Sequence, residues 1–233
     1  AGAIDELGEG PAHVVGHDWG AQIAFHTALL HAGSVRSVTG LSFPYSPPVP
    51  VEFMRLLETD DLEFYVVWFQ TPGVEADFDA AVRDRLLGFY LSVSASLPPE
   101  QRVTGMIPRG GSLSDTFPTE PALPAWLTAA DLDRLAGEFE RTGFTRASNR
   151  YRAIDLDVAD LADVAGPITP PALFAYGAED PVFEFLRPAC DQLPEHLADL
   201  RGLHAVPDAG HWLPQEAPEV VNRLLLDFLR SLD

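Results

Sequence analysis

The chain has 233 residues and a formal charge of −20, and all 15 of its basic residues are arginine. That length can bury one sizeable core with room for an inserted subdomain, while so acidic a surface repels phosphate backbones and anionic lipid and argues against nucleic acid and membranes as partners. The lone Cys190 excludes an internal disulfide and a cysteine metal cluster; with no apolar run of membrane-spanning length and no signal-peptide pattern, the expected location is the cytoplasm.

In chain order, residues 1–11 read as the tail of a helix and a turn, with Gly8, Gly10 and Pro11 as breakers. Residues 12–16 are an apolar run that reads as a buried strand, and 19–32 a helix stopped by Gly33. Val35 to Phe43 reads as a second buried strand, ending in the proline-rich turn Pro44 to Pro50. Strand, helix, strand implies a parallel sheet with a right-handed crossover. From residue 48 to 165 helical patterns dominate and no buried strand is expected. There, Glu75 to Tyr90 has apolar positions near helical spacing, 104–120 reads as a loop, and Thr128 followed by Asp131 marks a helix start close to a capping box. Pro167 to Pro171 closes the insertion. Ala172 to Gly177 returns to a buried strand and Leu203 to Pro207 is a weaker one. Ala217 to Leu232 is an amphipathic helix with Val220, Val221, Leu224, Leu225, Phe228 and Leu232 on one face. The expected organisation is an α/β core in two pieces, 1–47 and 166–233, with a helical lid inserted over 48–165.

The chemistry gathers at strand ends. Gly16-His17-Asp18-Trp19-Gly20 lies between the first strand and its helix, the setting of a nucleophile elbow, in which a strained turn lifts one side chain over the carboxyl end of the sheet. The two glycines are expected to let strand and helix approach closely. Here the lifted residue is an aspartate, and an aspartate nucleophile attacks saturated carbon to give an alkyl ester. The bland alternative is an N-cap Asp on a strand-to-helix turn. Asp180 follows the strand 172–177 and His211 follows 203–207, so nucleophile, acid and histidine come in α/β-hydrolase order at the end of the sheet where ligands gather. His211 would serve as the base and Asp180 would fix its tautomer; Glu179 competes for the same role, and an Asp before Pro181 can also be a simple turn residue. The other histidines, His17 among them, receive no chemical role.

Several segments then resemble one family. His13 to Gly20 is similar to the elbow of the epoxide hydrolase group of the α/β-hydrolase superfamily. Tyr65-Val66-Val67-Trp68-Phe69-Gln70-Thr71-Pro72-Gly73-Val74 resembles its F-Q-x-P-G-V segment, and Gly143-Phe144 through Asn149-Arg150-Tyr151-Arg152 resembles its G-F…N-W-Y-R segment, with Arg150 where the family usually has Trp. The resemblance implies an α/β-hydrolase fold with a partial parallel sheet of about four strands. It also implies that Tyr65 and Tyr151 are lid tyrosines that hydrogen-bond the epoxide oxygen, where ring opening would otherwise leave a bare alkoxide. The activity implied is hydrolysis of a small apolar epoxide to a vicinal diol through an ester on Asp18, with the backbone N–H of Trp19 as one oxyanion donor and no metal or organic cofactor. A homodimer is one assembly compatible with it.

The pattern breaks at the start. The strands that precede the elbow in the family, and the H-G-x-P loop that supplies a second oxyanion donor, have no counterpart, and there is no initiating Met. The chain therefore reads as a fragment, and by itself it is expected to be poorly soluble or inactive, because one edge of the elbow strand would be bare. Two other readings stand beside this one. A haloalkane or haloacetate dehalogenase of the same fold also uses an Asp elbow, with Trp19 and Trp68 as halide donors. A non-catalytic hydrolase-like protein would use the lid cavity to bind a small apolar molecule.

Overall fold

The computed structural model describes residues 1–232, and the strands among them are β1 (Ala12–His17), β2 (Val35–Leu41), β3 (Leu62–Phe64), β4 (Met106–Pro108), β5 (Ala172–Gly177) and β6 (Leu200–Val206). The chain divides into two compact units: residues 1–46 together with those from Val164 onward, and Pro47–Asp163.

The first unit is a four-stranded sheet in the order β1-β2-β5-β6, every pair parallel. Parallel strands must be covered on their faces. β2 meets this with a nearly continuous buried run, as does β5. The helix Trp19–Leu30 packs on the sheet through Ala21, Ala24, Phe25 and Ala28, joined there by Val38, Ala172 and Phe174. A second cluster unites Leu41, Ala175, Val206, Leu213 and Val221, with Val220, Leu224 and Leu225 of the helix Pro218–Arg230 packed against it. The apolar face expected of that helix therefore forms, although Leu232 falls beyond its end.

The first unit departs from expectation in three places. The elbow helix ends at Leu30, and Ala32–Ser34 forms a 3₁₀ turn that takes in Gly33. β6 starts at Leu200, because its burial alternates and hides the strand from a search for apolar runs. β1 is an edge strand and Val15 is 47% exposed, so this strand is less buried than its composition suggests.

The second unit is mostly helical, with Val82–Ser92 packed along Ala129–Thr142 and a core that includes Leu86, Ile107, Leu132 and Phe78. Thr128 caps the latter helix, its hydroxyl accepting from the Asp131 backbone N–H at 3.1 Å. Two expectations fail here. The loop expected over 104–120 contains β4, which pairs antiparallel with β3 in a half-exposed ribbon that buries only Phe64 and Ile107; three-residue strands are too short for alternation to be seen. The stretch 75–90 is not one helix but Ala76–Asp79 and Val82–Ser92, broken where Ala81 adopts φ −155° and ψ 64°. Asp77, on the first piece, accepts from the Ser114 backbone and hydroxyl, a tertiary anchor that no local pattern encodes.

At the elbow the glycines are not equivalent. A Cβ on Gly16 would sit 2.0 Å from the Gly20 carbonyl oxygen, whereas a Cβ on Gly20 would meet nothing within 4 Å among the described residues. The close approach thus depends on Gly16 alone. Gly16→Ala is expected to cost about 1–3 kcal/mol or more through overpacking, and Gly20→Ala to be neutral or stabilising by up to about 1 kcal/mol as an Ala-for-Gly change in a helix. Urea unfolding of both variants checks this; equal losses would contradict it.

Candidate active site

All four strands of the larger sheet end on the same edge, and the segments that leave it converge. Asp18 leaves β1 with φ 53° and ψ −125°, a strained conformation for a residue with a side chain. Its backbone N–H donates to the Leu41 carbonyl at 3.0 Å, which ties the turn to the end of β2. Its carboxylate is 31% exposed and accepts from the Trp19 backbone N–H, so the donor assigned to Trp19 does lie against Asp18.

Asp180 and His211 meet in the same unit. A Cβ on Gly177, at the end of β5, would lie 2.2 Å from the Gly210 carbonyl oxygen, so only glycine lets the two loops close. They are then joined by backbone bonds from Ala178 N–H to the Val206 carbonyl at 2.8 Å and from Glu179 N–H to the Ala209 carbonyl at 2.9 Å. His211 Nδ1 donates to Asp180 Oδ2 at 2.9 Å, and the other oxygen of Asp180 accepts from Val182 N–H at 2.9 Å. Asp180 is the acid that faces His211, and Glu179 is not. On its far side, His211 Nε2 lies 3.4 Å from Asp18 Oδ1.

Sequence reasoning missed the residues that hold His211 from behind. Its backbone carbonyl accepts twice, from His17 Nε2 at 2.7 Å and from the Ser42 hydroxyl at 2.9 Å. A carbonyl can only accept, so Nε2 of His17 carries the proton. Burial, and then the charge on His211, push the His17 pKa down, which suits a neutral ring in that role. Ser42 is fully buried with φ 61° at the end of β2. Glu216 bridges the same loop, one oxygen accepting from Gly210 N–H and the other from Trp212 N–H, each at 3.1 Å. The only local signal was His17 itself, lying inside the elbow.

Electrostatics set the charge states. Burial opposes the imidazolium of His211, but the Asp180 charge, hydrogen bonds to both carboxylates and the Asp18 charge outweigh it and raise the ring to about 10. Burial also opposes ionisation of Asp18, yet the hydrogen bond and charge of His211 and the Trp19 N–H hold it below the usual carboxylate value. Chemically, the arrangement presents an ionised carboxylate on a strained turn with an imidazolium beside it.

Tyr65 and Tyr151 belong to the helical unit, where their rings meet edge to face with centroids 5.9 Å apart. Arg150, where the family pattern has Trp, pairs with Asp157. Among the described residues no group of three or more His, Cys, Asp or Glu side chains could hold a metal, and no helix is long and apolar enough to cross a membrane.

The charge states make stability depend on pH. An imidazole raised in the fold above its unfolded value of 6.5 contributes fully below 6.5 and loses that contribution as pH climbs toward about 10. Asp18, held low, contributes above its ordinary 3.8 and loses its share as pH falls. The difference in unfolding free energy between wild type and His211→Gln is therefore expected to be widest just below pH 6.5 and to shrink steadily toward pH 10. A difference that stays constant over that window would mean that the carboxylates do not hold the imidazolium.

The α/β-hydrolase fold family matches residues 3–218. Epoxide hydrolase B of Mycobacterium tuberculosis is 36% identical over 270 residues, covering 99% of this chain and 75% of the relative. Epoxide hydrolase A of the same organism is 36% identical over 241 residues, covering 100% of this chain and 73% of its own length. Among solved structures, an epoxide hydrolase from an endophytic Streptomyces superposes with a TM-score of 0.93 at 45% identity, covering 99% of this chain and 71% of that one. Epoxide hydrolase A from Mycobacterium thermoresistibile superposes with a TM-score of 0.89 at 37% identity, covering 100% and 73%. The chain thus spans roughly three quarters of each relative, at identities that carry the family along with the fold, and it belongs to the epoxide hydrolases of the α/β-hydrolase fold family.

Proposed function

We propose that this protein converts a small apolar epoxide and water to a vicinal diol through an ester on Asp18, with His211, Asp180, Tyr65 and Tyr151 as the other working side chains. The observation that carries the reading is the buried line from Asp180 through His211 to an ionised carboxylate on a strained turn.

In the first step a carboxylate oxygen of Asp18 forms a bond to an epoxide carbon as that carbon's bond to the ring oxygen breaks. The electron pair goes to the ring oxygen, which takes a proton from a phenol of the Tyr65–Tyr151 pair. The product is a hydroxyalkyl ester, and the charge on Asp18 is gone. Of the groups that raised His211, only Asp180 remains charged, so the imidazolium becomes a stronger acid and releases its proton. His211 is thus switched into a base by the first step. It then takes a proton from water as the water oxygen bonds to the ester carbonyl carbon. The Trp19 N–H stabilises the oxyanion, and collapse expels the diol oxygen and restores the carboxylate. The proton that His211 releases after the first step restores the tyrosine, the first proton of the water recharges His211, and the second, left on the new carboxyl group, passes to the departing diol oxygen, so Asp18 ends ionised. Each electron pair and proton is handled by a side chain or by water, so neither step calls for a cofactor.

The dehalogenase reading needs Trp68 as a second halide donor, but its indole N–H donates to the Gly111 carbonyl at 3.2 Å. A pure binder makes no covalent ester. The test is intact mass of His211→Gln after incubation with an aryl epoxide and, separately, a bromoalkane. A gain equal to the whole epoxide, absent in Asp18→Asn, is expected. A gain of the alkyl group without bromine would replace this reading with the dehalogenase, and no adduct on a folded sample, repeated with the segment expected upstream of the elbow restored, would overturn the nucleophile assignment. In the wild type, decay of the ester is expected to quicken with rising pH as His211 deprotonates, while its formation stays flat across neutral pH because Asp18 is already ionised.

A further inference from the structure

Tyr65 and Tyr151 come from short helices, Tyr65–Trp68 and Thr145–Arg152, that lie far apart in sequence. A four-residue helix has little stability of its own, so its orientation must be imposed. Two side chains link the helices. Gln70 Nε2 donates both to the Val66 carbonyl at 2.9 Å, on the first helix, and to the Tyr151 carbonyl at 3.1 Å, on the second. Arg152 reaches back with its whole fork. Its Nε donates to the Phe69 carbonyl at 3.1 Å and its Nη2 to the Thr71 carbonyl at 3.0 Å. Nη2 and Nη1 engage the two oxygens of Glu75 at 2.8 and 3.3 Å, and Nη1 also touches Asn149 Oδ1 at 3.2 Å.

This ion pair differs from an ornamental surface bridge. The side chains are only 20% and 9% exposed, the contact is bidentate, and the same guanidinium satisfies two backbone carbonyls. The Arg152 hydrogen bond holds the Glu75 carboxyl down at about 2, so the pair stays charged across the neutral range. Between the two ends lies Phe69, whose ring stacks on Tyr151 at 4.4 Å and 13° and sits 6.5 Å from the Tyr65 ring. Fixing the Phe69 carbonyl through Arg152 therefore fixes the ring against which Tyr151 lies, and Gln70 fixes the backbone of Tyr151 itself.

We infer that Arg152, braced on Glu75 and assisted by Gln70, is the positioning residue that holds the two phenols in a fixed mutual geometry for the ring-opening step. The inference rests on the assignment of Tyr65 and Tyr151 to the epoxide oxygen. It places Arg152 one step from the chemistry, touching neither substrate nor reacting atoms. Misplacing a proton donor by about 1 Å costs on the order of 100-fold in rate, so a modest loosening has a measurable effect. The second step works through His211 and Trp19, whereas the bonds of Arg152 and Gln70 described above all end on residues of the helical unit.

The split between steps is the test. Single-turnover quench with intact-mass detection, on the full protein with an aryl epoxide, gives the rates of ester formation and ester decay separately. Arg152→Met and Gln70→Met are each expected to slow formation by on the order of 10–100-fold and to leave decay within about twofold. Arg152→Lys, which keeps the charge but not the fork, is expected to fall between wild type and Arg152→Met. Adding Arg152→Met to Tyr65→Phe/Tyr151→Phe is expected to cost little further. Equal slowing of both steps, or unchanged formation while Tyr151→Phe is slow, overturns the brace and leaves the tyrosine assignment standing. Unchanged formation in Tyr65→Phe/Tyr151→Phe overturns the tyrosine assignment and the brace with it. Should Arg152→Met not fold, Gln70→Met and Arg152→Lys carry the same comparison.

Discussion

The 2.9 Å hydrogen bond between His211 and Asp180 sets the terms for everything around it. Both side chains are buried, and each comes from a loop at the end of a different strand. Leaving either polar group unpaired there would be costly, so the loops must meet at one spacing only. Gly177 permits that approach, two backbone bonds seal it, and Val182 N–H holds the free oxygen of Asp180. His17, Ser42 and Glu216 then fix the His211 loop through backbone groups. The ring is thereby placed between two carboxylates without being asked to choose its own rotamer.

The charge arithmetic gives this rigidity its purpose. One imidazolium between two carboxylates is a stable resting arrangement, but it is poor at removing a proton from water. Neutralising one carboxylate changes that balance without any movement of the protein. In the reaction proposed here, the same atoms are an ion triad before the first step and an acid–base pair after it. Rigid placement is what allows a single covalent event to shift the acidity of a neighbour by a large amount, because the interactions are short and poorly screened.

The helical unit solves a different problem. Its aromatic core, from Phe78 and Phe144 to Trp68 and Phe69, supplies packing but little directional constraint. Direction comes from polar groups. The guanidinium of Arg152 and the amide of Gln70 spend their donors on named carbonyls, which locks two short segments that hydrophobic contact alone would leave free to slide.

Sequence by itself determined what local sterics and contiguous motifs encode. The strand, elbow turn and helix around Asp18, and the strands that precede Asp180 and His211, were legible because each is a short run with one dominant physical meaning. The buried strand β5 was legible to the residue. What only the tertiary structure decided depends on partners distant in the chain. The choice of Asp180 over Glu179 is a matter of which carboxylate faces a ring 31 residues away. The role of His17 is set by a carbonyl 194 residues on, and that of Ser42 by the same carbonyl. The break at Ala81 and the ribbon of β3 and β4 have no local breaker or alternation to announce them. Charge state belongs to this second group as well: the pKa of His211 is a sum over neighbours, and neighbours are what a linear sequence does not contain.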